Sequence, residues 1–311
     1  MLAFLKQSLM LFILEAIVEG VATCFTSGTG SAYLYDYYGN ELYMQKSAHA
    51  NNFGTAGFII STVSYAAIYK LLGIECLLAA TVIADIFSMI MTFFLPKELK
   101  SAEEENINAK QRVGKKRVKN ASLFADIKNM FKHKQAFIYV AMLSVFGIAW
   151  ILITFFYVER LESYGISVEW MSLIVLIYSA LQMLSEPLIH RFRKVSKSKM
   201  LLGATLAGIL LIVFGLVAVR WLILILMLIL PLTLNLPEYY VIEQENQFID
   251  KIGSAKNRAT ALSVLNMGVN VIEIVALFAS AILSSIGIEW CFLFIGAAVI
   301  ACAAVLYRSR E

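Results

Sequence analysis

Long apolar runs separated by short, mostly basic stretches set the pattern of this chain. Nine runs reach or approach the roughly 20 residues a helix needs to cross a hydrocarbon core: about 9–36, 52–73, 75–95, 136–157, 168–188, 200–219, 221–244, 260–284 and 287–307. The pattern predicts an all-α, polytopic membrane protein, because only helices and closed barrels satisfy their backbone inside a bilayer. Residues 9–36 hold too few positions for two crossings and a turn, so they read as one long, tilted helix.

Polar residues inside these runs are the informative ones. In the first run, Glu15, Glu19, Thr26, Thr29 and Tyr33 share one helical face at 100° per residue. Gly20, Cys24 and Gly28 mark a second face, small enough for another helix to pack closely. A carboxylate in a span is costly and usually faces a cavity or a partner rather than lipid. This helix therefore predicts a polar pathway through the membrane, as in a transporter.

Composition agrees. The chain is 60% hydrophobic and 15% charged, whereas soluble domains run near 45–50% and about 25%; a water-facing surface is excluded. The net charge of +4 comes from basic residues between the runs, which points to lipid headgroups rather than nucleic acid. Cys24, Cys76, Cys291 and Cys302 sit in or beside apolar runs without CxxC spacing. They read as small packing residues, with no disulfide framework, metal site or cofactor. The N-terminus has one lysine, Lys6, before an apolar run too long for a secretory signal.

Charge also predicts orientation. Loops on the C-terminal side hold 22 of the 26 Lys and Arg, and the other side holds only Lys6, Lys70, Arg160 and Arg220. The positive-inside rule then puts the C-terminus and the long 97–134 loop in the cytoplasm, with the protein multi-pass in the plasma membrane. That loop is the one long polar segment, and it separates three spans (1–96) from six (135–311). Its end, from Ala121 to Lys132, has Leu123, Ile127, Met130 and Phe131 at helical spacing and reads as a helix on the inner membrane surface.

An internal repeat runs across the two parts. LGIECLLAATVIA (72–84) and IGIEWCFLFIGAAVIA (286–301) each follow a long run, a polar basic loop and another run. Spans one to three thus resemble spans seven to nine, and repeats in transporters hold the substrate path between the copies.

With a long basic loop between two helical parts, the chain resembles the major facilitator superfamily. The stretch SGTGSAYLYD (Ser27–Asp36) is similar to the fourth helix of many bacterial members, and KNRATALSVLNM (256–267) to their entry into the eleventh. Mapped this way, the resemblance implies an N-terminally truncated chain, through a truncated gene or mis-called start or as a decayed or split half-transporter. It starts near the fourth helix, without helices one to three and the gating loop between helices two and three. The equivalent loop of the second half, SEPLIHRFRKVSKSK (185–199), keeps its basic run, but lacks a glycine at its start and has His190 where an aspartate is usual. The resemblance implies secondary transport of a small organic solute through pseudo-repeat halves, with proton-coupled efflux by alternating access. A non-transporting remnant or a partner subunit of a transporter is the alternative. No GxSxG, HExxH or Walker motif supports an enzyme.

The ionisable groups inside the spans are Glu15, Glu19, Asp85, Glu238 and Glu273, all acidic. A carboxylate that exchanges a proton as a cavity opens to alternate sides can couple solute movement to protons. Acid-only cavities favour cationic or neutral solutes over anions. The family's cavity is lined mainly by helices one, four, seven and ten, which favours Glu15, Glu19 and Glu238 over Asp85. Pro231 and Pro237 flank Asn235 at mid-membrane, where a kinked helix frees carbonyls for a site or simply bends. Asn266, Asn270 and Glu273 form an i, i+4, i+7 stripe that faces protein, for pathway or for helix–helix bonding. Tyr33, Trp150 and Tyr239 are the cavity aromatics, with interface anchoring as the other role open to tyrosines.

Overall fold

A computed structural model of the chain describes residues 9–26, 28–94, 130–192, 197–252 and 257–308. Nine α-helices form among them: α1 (Leu9–Thr26), α2 (Thr29–Thr92), α3 (Lys134–Glu162), α4 (Met171–Gln182), α5 (Ser185–Phe192), α6 (Lys197–Leu216), α7 (Arg220–Lys251), α8 (Arg258–Ser284) and α9 (Ile288–Arg308). Six stretches are long and apolar enough to cross a membrane: Ala67–Thr92, Lys134–Glu162, Val168–Arg191, Arg220–Lys251, Arg258–Ser284 and Ile288–Arg308. This count covers the described residues alone; Met200–Leu216 is a shorter apolar helix among them, and Leu9–Thr26 is an 18-residue helix.

The first run is not one helix. It breaks at Gly28, whose φ of 75° is left-handed, a region glycine enters without strain. The cause is close packing: a Cβ on Gly28 would lie 2.8 Å from Leu262 Cβ and 2.9 Å from the Ser263 amide on α8. The predicted small-residue face is used at Gly28, whereas a Cβ on Gly20 would have nothing within 4 Å. Two further breaks, at Gly39 (φ 69°) and Gly73 (φ 81°), divide α2 into 29–38, 40–72 and 74–92. Gly73 and Gly287 stand before corresponding helix starts at Ile74 and Ile288, which puts the sequence repeat on matching structural positions.

The core lies among α3, α4 and α6–α9, with Ala32 the α2 residue that joins it. Inside a bilayer no hydrophobic force drives helices together, so close packing and hydrogen bonds must do so. The pairing of α6 with α9 shows this. Gly208 and Gly296 face each other so closely that a Cβ on either would lie 2.7 or 2.6 Å from the other's carbonyl oxygen. Phe214 and Phe292 meet edge to face beside them, with centroids 4.9 Å apart. Gly208→Val is expected to cost about 1–3 kcal/mol through overpacking, read as a lower thermal midpoint of the purified protein. An unchanged midpoint would contradict this packing.

The C-terminal carbonyls of α6 are capped by Arg160, which is buried. It donates to Phe214 O (3.3 Å), Val217 O (3.0 Å) and Gly215 O, and its guanidinium lies over the Tyr164 ring. The helix dipole favours a cation there. Pro231 and Pro237 do not break α7, which stays helical from Arg220 to Lys251. Thr233 Oγ donates to Leu230 O (2.9 Å) between the prolines, and neighbouring helices hold proline-bearing helices in shape in membranes.

Of the expected surface helix, 121–129 lies outside the described residues; Met130 is buried against that core.

Candidate functional site

Four helices enclose a cavity of about 220 Å³. Gly28 and Ser31 come from around the α2 start, Leu143 and Gly147 from α3, Glu238, Ile242 and Glu245 from α7, and Leu262, Asn266, Val269 and Glu273 from α8. The spacing explains the lining. Residues 238, 242 and 245 follow i, i+4, i+7, so two turns of α7 present one face over about 10 Å. On α8 the lining positions 262, 266, 269 and 273 repeat the same geometry. Gly147 matters by its lack of a side chain, because a Cβ there would collide with the Glu273 carboxylate.

Three carboxylates therefore line one cavity, and among the described residues no Lys or Arg does. Glu238 accepts a hydrogen bond from the Trp150 indole, Nε1–H to Oε2 at 3.0 Å. Glu245 is 1% exposed, and its Oε1 has no hydrogen-bond partner among the described residues. A buried acceptor left so costs about 1–3 kcal/mol, more when charged.

The sequence candidates divide. Glu238 and Glu273 both line the cavity, and Trp150 holds the former. Asn235 is buried, but its Nδ2 has no partner among the described residues and it does not line the cavity. Asn270 is exposed: the inward stripe of α8 passes through Val269 instead, one residue and 100° away. This corrects the expectation that Asn270 faces protein. Tyr239 packs on the small cluster of Met44, Ala48 and Ile189, not on the cavity. Tyr33 is half-buried and stacks on Tyr37 at 6.0 Å, also away from the lining. Asp85 is exposed on the last part of α2. Glu15 and Glu19 lie on α1, and their side chains fall outside the described residues.

Beside the cavity, polar contacts join α2 to the α7–α8 pair. Arg258 is buried and donates Nε–H to Asp36 Oδ1 (2.6 Å), Nη1–H to Asn246 O (3.1 Å) and Nη2–H to Asp250. Its guanidinium also lies 4.1 Å from the Tyr35 ring centroid. Above it, Asn246 Nδ2 donates to Ser31 Oγ (3.1 Å), which pairs with Tyr43 OH (2.7 Å). Gln247 Nε2 donates to Asn40 Oδ1 (2.7 Å). A second clasp joins α2 to α5, where Glu186 meets His49 Nδ1 (2.5 Å) and accepts from Asn52 Nδ2 (2.8 Å).

Sequence reasoning missed Glu245 and both clasps. A span ended at 244 left Glu245 outside the membrane, although α7 runs to Lys251. Its i+7 spacing from Glu238 was the available signal.

A helical protein with an acid-lined cavity between its helices and polar clasps between distant segments suits a solute carrier. The sequence matches the Major Facilitator Superfamily over residues 1–236. The chain belongs to that superfamily, whose members are membrane transporters of solutes rather than enzymes. No curated protein matches the chain.

Proposed function

We propose that this protein is a secondary active transporter that exchanges protons for a small organic solute by alternating access. The acidic cavity carries the reading: Glu238, Glu245 and Glu273 line it, and clasps at Arg258 and Glu186 tie α2 to α5, α7 and α8. A carboxylate holding a proton offers no charged acceptor to a solute donor, so proton and solute compete. Competition at one site makes exchange, and an inward proton gradient then drives the solute out. Residues 1–96 and 135–311 are the two bodies that rock, joined by 97–134, and the clasped end, which carries the basic loops, faces the cytoplasm of a plasma-membrane protein.

Proteoliposomes with an imposed pH gradient test this. Labelled cationic, neutral and anionic small solutes are compared with protein-free liposomes. Flux of at least one solute above the protein-free rate, collapsed by a protonophore, is the expected result. Flux of none, with protein folded and inserted, sinks the proposal.

One observation supports a second reading as partner subunit. None of the apolar window within Ala67–Thr92 is buried, so that face is available to another chain as well as to lipid. Stoichiometric co-purification with a second membrane protein would mark this case.

A further inference from the structure

We propose that the cavity selects small organic cations, and that Glu245 is the carboxylate that receives the solute's N–H. The inference rests on the transport reading of the same cavity and names its solute class.

Three independent observations converge. First, every charged residue lining the cavity among the described residues is acidic, so an anionic solute meets Glu238, Glu245 and Glu273 with no compensating base among them. Second, Glu245 is a buried acceptor with an oxygen unpartnered among the described residues, and it lines that cavity. A charged donor is the partner that best offsets its desolvation, because hydrogen bonds between charged groups are about twice as strong as neutral ones. Third, the indole and guanidinium donors described nearby are engaged elsewhere. Trp150 is committed to Glu238, and the Arg258 guanidinium nitrogens go to Asp36, Asn246 O and Asp250.

Size and ligand geometry narrow the class. A volume near 220 Å³ equals about seven waters at ~30 Å³ each, which suits a small amine rather than a drug-sized molecule. Among the described residues, no three His, Cys, Asp or Glu converge closely enough to hold a metal ion. An organic ammonium, which needs one good acceptor and room for its apolar part, fits better than a bare cation. Leu143, Ile242, Leu262 and Val269 provide that apolar wall.

Equilibrium dialysis on the full chain in nanodiscs tests the inference with two probes of one shape, benzylammonium and benzyl alcohol. Benzylammonium is expected to bind saturably and more tightly. In Glu245→Gln that preference falls at least about tenfold, and Glu245→Asp, which keeps the charge, restores much of it. Thermal unfolding checks that each variant is folded. The proposal is overturned if benzyl alcohol binds as well as benzylammonium, if Glu245→Gln keeps the preference, or if folded protein shows no saturable benzylammonium binding. Saturable binding without proton-dependent flux would retire the coupling reading and leave the solute class standing. Proton-dependent flux of neutral or anionic solutes alone would do the reverse.

Discussion

Glu238→Gln is expected to cut flux driven by a pH gradient by about 100-fold, the upper end of ordinary coupling energies between two sites, while solute exchange at equal pH persists. The amide keeps the size of the side chain and can still accept from the Trp150 indole, which now lies 3.0 Å from the carboxylate. It cannot gain or lose a proton in the working pH range. Loss of gradient-driven flux with exchange retained therefore isolates proton coupling from solute binding and from folding. Unchanged gradient-driven flux would remove Glu238 from the coupling step. Loss of both fluxes in a folded protein would assign it to the solute path instead.

Breaking the Arg258 clasp has the second large effect. Arg258 is buried and joins Asp36 on α2 to Asp250 on α7 and to the Asn246 carbonyl. Removing one partner of a fully buried pair costs about 3–5 kcal/mol. Both aspartates are about two-fifths exposed (41% and 39%), so solvent screens them and the expected cost of Arg258→Gln is nearer ~2 kcal/mol. Arg258 also stacks on Tyr35, so the loss includes packing as well as charge. A double-mutant cycle with Asp36→Asn separates the pair from the rest. Coupling of about 1–2 kcal/mol in thermal or chemical unfolding is expected for residues in direct contact, together with a severe loss of flux in either single variant. Additive effects would mean that the pair does not hold α2 to α8.

The parts of this molecule that were legible in the sequence are those with a local signature. Apolar runs marked the helices, and acids inside those runs marked Glu238 and Glu273. The repeat at 72–84 and 286–301 marked matching helix starts. What escaped depends on contacts between distant segments. Arg258 and Asp36 are 222 positions apart, so each reads as a loop charge until the fold joins them. Glu186 reads as part of a basic loop until His49 and Asn52 reach it across α2. The break at Gly28 is of the same kind: only the approach of Leu262 and Ser263 shows why a left-handed residue is needed there. Small errors of phase also count. Ending a span seven residues short of Lys251 hid Glu245, and a 100° shift on α8 exchanged Asn270 for Val269.

The measurement that tests the account most directly is thiol reactivity at two valines on α8 in a cysteine-free background. Val269 lines the cavity, whereas Val275 is 64% exposed on the outside of the helix, a face that meets lipid if the helix spans a bilayer. Only a thiol in contact with water forms the reactive thiolate. A water-soluble, membrane-impermeant cationic thiol reagent should label Val269→Cys, and Arg258→Gln should change the side of the membrane from which it does so. Val275→Cys should stay inert from both sides. Inert Val269→Cys, or equal labelling of the two positions, would contradict a water-filled path through the acidic cavity.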